Sequence, residues 1–81
     1  MAIKVGEFAK TNRGVGRIIR VLTDDGRIVS EGAVKNPTMV ELYYFGDRSL
    51  ELDLEGNAKP GIGVAHMDEL YTVTSLHLFP Q

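Results

Sequence analysis

Cysteine is absent from this 81-residue chain, so neither a disulfide framework nor a thiolate zinc site can staple so small a fold, and apolar packing has to hold it. No apolar run approaches the ~20 residues of a membrane-spanning helix. The opening MAIKVGEF is also too short of apolar residues to form the core of a secretion signal. A cytoplasmic location with no membrane partner is the resulting expectation. Helical periodicity is sustained nowhere over the roughly 10 residues that a helix needs. Signatures of catalysis are lacking as well: Ser30, Ser49 and Ser75 stand outside any nucleophile elbow. His66 with Asp68 or Glu69, or His77 with any of them, has no third ligand at a regular spacing. Gly14-Val15-Gly16 and Gly61-Ile62-Gly63 do not continue into a phosphate-binding strand-to-helix motif and are read as turn glycines. Carboxylates such as Glu51 and Asp53 alternate as they do on the solvent face of a strand. No catalytic residue, metal or cofactor is expected, and the chain is read as a protein that is not an enzyme.

What is present is an ordinary globular composition, with hydrophobic residues at 43%, charged residues at 25% and mean hydropathy of -0.07. That excludes the signature of a disordered chain. Residues 1–81 are read as a single domain, and a chain of this size buries only roughly 60 to 65% of the surface its unfolded form exposes, so the core is small. The formal net charge is -2, but it is unevenly spread. Residues 1–35 hold seven bases (Lys4, Lys10, Arg13, Arg17, Arg20, Arg27, Lys35) and four acids (Glu7, Asp24, Asp25, Glu31), a net +3. The remainder, with Arg48 and Lys59 against Glu41, Asp47, Glu51, Asp53, Glu55, Asp68 and Glu69, is -5. The fold is electrically two-sided if these halves form separate faces.

Strand signals dominate the pattern. Ile3, Val5 and Phe8 mark a first short strand, with Gly6 as a bulge or close-approach position. A polar turn of Lys, Thr, Asn and Arg leads into a second strand. There VGRIIRVL breaks two-residue alternation, since Ile18 and Ile19 are adjacent and Arg17 and Arg20 fall on opposite faces. A sharply bent strand whose inward face changes at a bulge explains this. Asp24-Asp25-Gly26-Arg27 is a turn. Beyond it, either Ile28 and Val29 begin a small hairpin or residues 23–38 form one long irregular loop, which Gly32, Ser30 and Ala33 favour. Residues 39–45, MVELYYF, are the strongest strand. If Val40, Leu42 and Tyr44 point inward, then Glu41, Tyr43 and Phe45 point outward; a slip of one residue reverses the two sets. Residues 49–54 alternate, Leu50, Leu52 and Leu54 on one face and Ser49, Glu51 and Asp53 on the other, as a half-buried antiparallel strand does. A polar loop through Lys59-Pro60-Gly61-Ile62-Gly63 follows. Asp68 and Glu69 ahead of Leu70 suit one turn of 3-10 helix plugging the interior with Met67 or Leu70, and a last strand is placed over residues 71–79. The fold class is all-β: an antiparallel barrel of about five strands with a long loop between the second and third and a short 3-10 turn before the last.

The segments VGEFAKTNRGVGRIIRV, VELYYFG and VAHMDELYTV resemble the SH3-like or Tudor-like barrels of bacterial transcription and DNA-processing proteins. They are most similar to the RNA-polymerase-interacting domain of CarD and transcription-repair coupling factor and to the N-terminal domains of RapA-type helicases. The resemblance implies a small recognition barrel that docks on RNA polymerase or another nucleic-acid-processing assembly. The 16-residue stretch between the second and third strands departs from the compact Tudor pattern.

Two surfaces are candidates. Tyr43 and Phe45, if exposed, form an aromatic patch suited to anchoring a protein partner or stacking on bases; in the reversed register they belong to the core. Lys10, Arg13, Arg17 and Arg20 give four cations with no acid between Phe8 and Thr23, the arrangement that phosphate neutralisation requires. Against it stands a pI of 5.6. The leading expectation is therefore a non-catalytic module for protein docking, with direct nucleic-acid binding as the alternative. An oligomeric barrel, associating through edge strands and binding a small molecule in a shared pore, is a third arrangement.

Overall fold

The computed structural model describes residues 2–46 and 50–70, together with the backbone of Thr72–Thr74. Within them the chain is all-β and antiparallel, with one single-turn 3-10 helix. Its first strands are β1 (Ile3–Lys4) and β2 (Phe8–Thr11), separated at Gly6, whose φ of 100° is open to glycine alone without strain. The expected single first strand is thus two, because the backbone turns at Gly6. A tight turn at Asn12 and Arg13, in which the Thr11 hydroxyl accepts the Arg13 N–H at 3.1 Å, leads to β3 (Gly14–Thr23). Next come β4 (Ile28–Val29), β5 (Ala33–Val34) and β6 (Pro37–Tyr44). Then follow β7 (Leu50–Leu52), β8 (Ala58–Pro60), β9 (Ile62–His66), the 3-10 turn Met67–Glu69 and β10 (Thr72–Thr74).

The main sheet has the order β10-β2-β3-β6-β9, with β4 folded back onto the far end of β3. The bend foreseen in β3 is there: the register to β6 shifts between Ile18 and Arg20. Gly16 and Ile18 are buried before the shift and Val21 and Thr23 after it, so one extra residue moves the inward face by one position. Between β3 and β6 the chain is not a structureless loop. Val29 pairs with Val21 and Ile28 with Leu22, making a small hairpin, and β5 pairs with β1.

Among the described residues the sheet is open, with β9 and β10 at opposite edges and not paired to each other; the expected closed barrel is corrected accordingly. The remaining strands pair outside this sheet: β1 with β5, and β7 with β8 as a separate hairpin. The core lies against one side, formed by Ile3, Ala9, Ile18, Val21, Val34, Val40, Leu42, Tyr44 and Ala65. Met67 and Leu70 pack at its margin, where the 3-10 turn was expected to plug the interior. Each fully buried Ile, Leu or Val contributes roughly 2 kcal/mol through removal of apolar surface from water.

Two assignments from side-chain alternation are reversed. Leu50 and Leu52, expected inside, are 65% and 60% exposed, while Asp53, expected outside, is buried. Strand β7 pairs only with β8 and its leucines are not drawn into the core; the carboxylates instead find cations and backbone donors on neighbouring elements. The stretch around Gly61 and Ile62, expected as a loop, supplies β8 and β9. Ser49, His77 and the outer part of the last predicted strand lie outside the described residues.

Candidate functional site

The face of the sheet opposite the core is organised by register. Phe8 pairs with Arg17, Arg17 with Tyr43, and Tyr43 with Ile62, so one row crosses β2, β3, β6 and β9. One step along, Lys10 pairs with Val15, and the Phe45 N–H donates to the Val15 carbonyl at 3.0 Å. Side chains two apart on a strand share a face, which places Lys10 and Arg17 on the same face as Tyr43.

Tyr43 and Phe45 are 50% and 54% exposed, whereas Val40, Leu42 and Tyr44 are buried. Of the two registers the sequence allows, the strand adopts the one with the aromatic pair outside. Phe8 is the floor of the patch. Its ring lies 5.5 Å from that of Phe45, and the Arg17 guanidinium carbon sits 5.0 Å from its centroid, within cation-π distance. Among the described residues, Lys10 and Arg17 have no ion-pair partner.

On the core side of the sheet, two glycines let neighbouring groups approach closely, Gly16 the backbone of β6 and Gly63 the Tyr44 ring. Gly16 pairs with Tyr44 across the strands, and a Cβ at Gly16 would stand 2.9 Å from the Tyr43 carbonyl oxygen. A Cβ at Gly63 would meet the Tyr44 ring at 3.1 Å and the Glu51 carboxylate at 2.7 Å. These glycines permit close approach, while Gly14 and Gly61, with φ of 127° and 77°, serve the turns. The Thr11 and Tyr44 hydroxyls share a 2.9 Å hydrogen bond, the Arg13 guanidinium lies 5.2 Å from the Tyr44 ring centre, and Arg13 pairs with Glu51.

Farther along the β3–β6 ladder, the face is covered. Glu41, expected to point to solvent, is only 2% exposed. Its two carboxylate oxygens accept from Arg20 Nε and Nη2, both at 2.8 Å, and Oε2 also accepts the Leu54 N–H at 2.9 Å. Arg20 reaches Glu55 at 3.0 Å as well. Asp53 organises the loop that covers this end. Its Oδ1 accepts the N–H groups of Glu55 and Asn57, both at 2.9 Å, and Oδ2 lies 3.1 Å from Lys59 Nζ and 4.0 Å from Arg20. Oδ2 makes ionic contacts there without a well-aligned hydrogen bond.

These contacts set the charge states. Burial pushes the Glu41 carboxyl up, but the Arg20 fork and the Leu54 N–H outweigh it and hold the group below the ordinary carboxylate range. Asp53 is lowered by the Asn57 N–H first and, against the cost of burial, by Lys59 and the Glu55 N–H. Arg20 is raised, chiefly by its hydrogen bonds to Glu41 and Glu55. Its cation is permanent.

The four cations expected to line a phosphate track therefore divide. Lys10 and Arg17 share the open face, Arg13 is paired with Glu51 beside Tyr44, and Arg20 is locked among Glu41, Asp53 and Glu55. The acids that engage Arg13 and Arg20 come from residues 41–55, far away along the chain, so the local absence of acids gave no warning of them. The buried ion cluster was missed; its one sequence signal was an acid at a central position of the most apolar strand. Among the described residues no three His, Asp or Glu side chains converge as a metal site, and no helix is long and apolar enough to cross a membrane. The His66 N–H donates to Glu69 Oε1 at 2.6 Å, closing the 3-10 turn. No family model, curated protein or solved structure matches this chain.

Proposed function

We propose that the chain is a non-catalytic recognition module of the SH3-like kind, which docks on a protein partner through the open face around Tyr43 and Phe45. The single observation that carries the reading is this aromatic pair, half in water on a sheet whose other side already holds the core. A domain gains no stability from leaving two large rings at the surface, and aromatic side chains recur as anchors at protein interfaces. The SH3-like assignment draws on the chain path, in which the last strand lies against the first long hairpin and a 3-10 turn precedes it. A role in a transcription or DNA-processing assembly extends the resemblance of the hairpin and of VELYYF to the polymerase-docking barrels. Fold likeness by itself carries no function, so the aromatic face bears the weight.

The test is a photoreactive residue placed at Tyr43 or Phe45 in the host cell. Adducts with one protein species, identified by mass spectrometry and suppressed when the other aromatic is changed to Ser, are the expected result. Crosslinking only to nucleic acid, or equal labelling from an exposed position elsewhere such as Ile28, would defeat the reading.

A further inference from the structure

The docking face carries a charge signature that narrows what it can hold, and the inference rests on the docking reading above. Among the described residues Lys10 and Arg17 are the cations on that face; the positions beside them on the ladder are Val15 and Thr72 for Lys10 and Phe8 and Tyr43 for Arg17, none of them acidic. Other cations of the sheet and its loops are paired, Arg13 with Glu51, Arg20 with Glu41 and Glu55, Arg27 with Asp25 and Lys59 with Asp53, whereas Lys10 and Arg17, set among aromatic and apolar side chains, have no ion-pair partner among the described residues. Arg17 is also presented in a fixed place, its guanidinium against the Phe8 ring 5.0 Å from the centroid, so less entropy is lost when its planar fork meets a carboxylate.

We infer that the occupant is an acidic, apolar protein segment whose carboxylates pair with Arg17 and Lys10 while its hydrophobic side chains cover Tyr43 and Phe45. Nucleic acid fits this face less well. With the two cations that lack an ion-pair partner among the described residues, the counterion-release contribution corresponds to a salt slope of only about -2, where tight binders neutralise roughly 6 to 10 phosphates. Among the described side chains, Phe8, Val15, Tyr43, Phe45 and Ile62 make the rest of the face largely apolar, which a segment carrying leucine or phenylalanine would use and a phosphate backbone would not.

The experiment is selection from a random peptide display library with the full chain as bait, followed by nuclear magnetic resonance mapping of chosen peptides. Selected peptides should combine Asp or Glu with large apolar residues, shift the Tyr43 and Phe45 amides, and lose roughly tenfold or more in affinity with Arg17→Glu. Lys10→Glu should act in the same direction, and serves in place of Arg17→Glu if thermal unfolding shows that variant to be misfolded. Peptides that map to the face without an acidic bias, or whose affinity ignores both charge reversals, overturn the inference and leave the docking reading standing. If no selected peptide maps to the face, both fail. Stronger binding of a single-stranded oligonucleotide at the same amides replaces the protein segment with nucleic acid.

Discussion

Arg17 and Arg20 lie on the same strand, opposite neighbouring stretches of the same partner strand, and their fates differ completely. Arg20 faces Glu41 in a bidentate pair, beneath a loop that Asp53 holds in place. Arg17 faces Tyr43, leans on Phe8 and looks out to water. At the covered end the polar groups are satisfied from within the chain, and what they do is hold the loop 53–57 to the sheet. At the open end the same ladder leaves a cation and two aromatics without cover among the described residues. Structural work and recognition are thus separated along one pair of strands, with the bulge between Ile18 and Arg20 marking the boundary.

The most damaging way to break this contrast is at Glu41. Glu41→Ala strands the partly buried Arg20 and leaves the Leu54 N–H without its acceptor, for an expected loss of about 3 kcal/mol in urea unfolding. Glu41→Gln retains the shape and some of the hydrogen bonding, and costs less. A neutral Glu41→Ala would mean that the covered end is not the anchor described here. Gly16→Ala comes next. Its methyl would stand 2.9 Å from the Tyr43 carbonyl, so the β3–β6 ladder has to shift, at roughly 2 kcal/mol by analogy with overpacked cores; the amide signals of Tyr43 and Tyr44 should move with it.

Acid separates the two ends without mutation. Glu41 and Asp53 both titrate lower in the folded protein than their ordinary values of 4.5 and 3.8. Their contribution is therefore fully present above those ordinary values and is lost as pH falls through the lower folded ones. Denaturation midpoints measured on descending below about pH 5 should fall, and the fall should be shallower in Glu41→Gln. The smallest stability effect belongs to the open end. The double change Tyr43→Ser and Phe45→Ser should alter unfolding free energy by no more than about 1 kcal/mol, as expected for exposed positions, while abolishing partner crosslinking. Cooperative unfolding lost in that variant would show the rings to be structural.

Much of the fold was legible because local chemistry dictates it. The turn residues, the broken alternation around Ile18 and Ile19, the strand over residues 39–45 and the 3-10 turn at Met67 each follow from spacing and residue type. The aromatic pair could be named but not oriented, since reversing the register exchanges every side chain on the strand. Arg13 and Arg20 misled for a different reason: an uninterrupted run of cations looks available until acids from distant segments are folded onto it. Leu50 and Leu52 misled because alternation shows that a strand has two faces and does not say which one the rest of the protein covers.

By itself, then, the sequence determined that the chain is antiparallel β, where it bends, and which residue types must supply any binding surface, because turn geometry and side-chain periodicity act over a few residues. Only the tertiary structure decided that the sheet is open among the described residues, that Glu41 is buried while Tyr43 is half exposed, and that Lys10 and Arg17 keep their charge exposed. Those outcomes depend on which distant segment arrives to pair with a strand edge or a charge, and a local pattern does not encode the arrival.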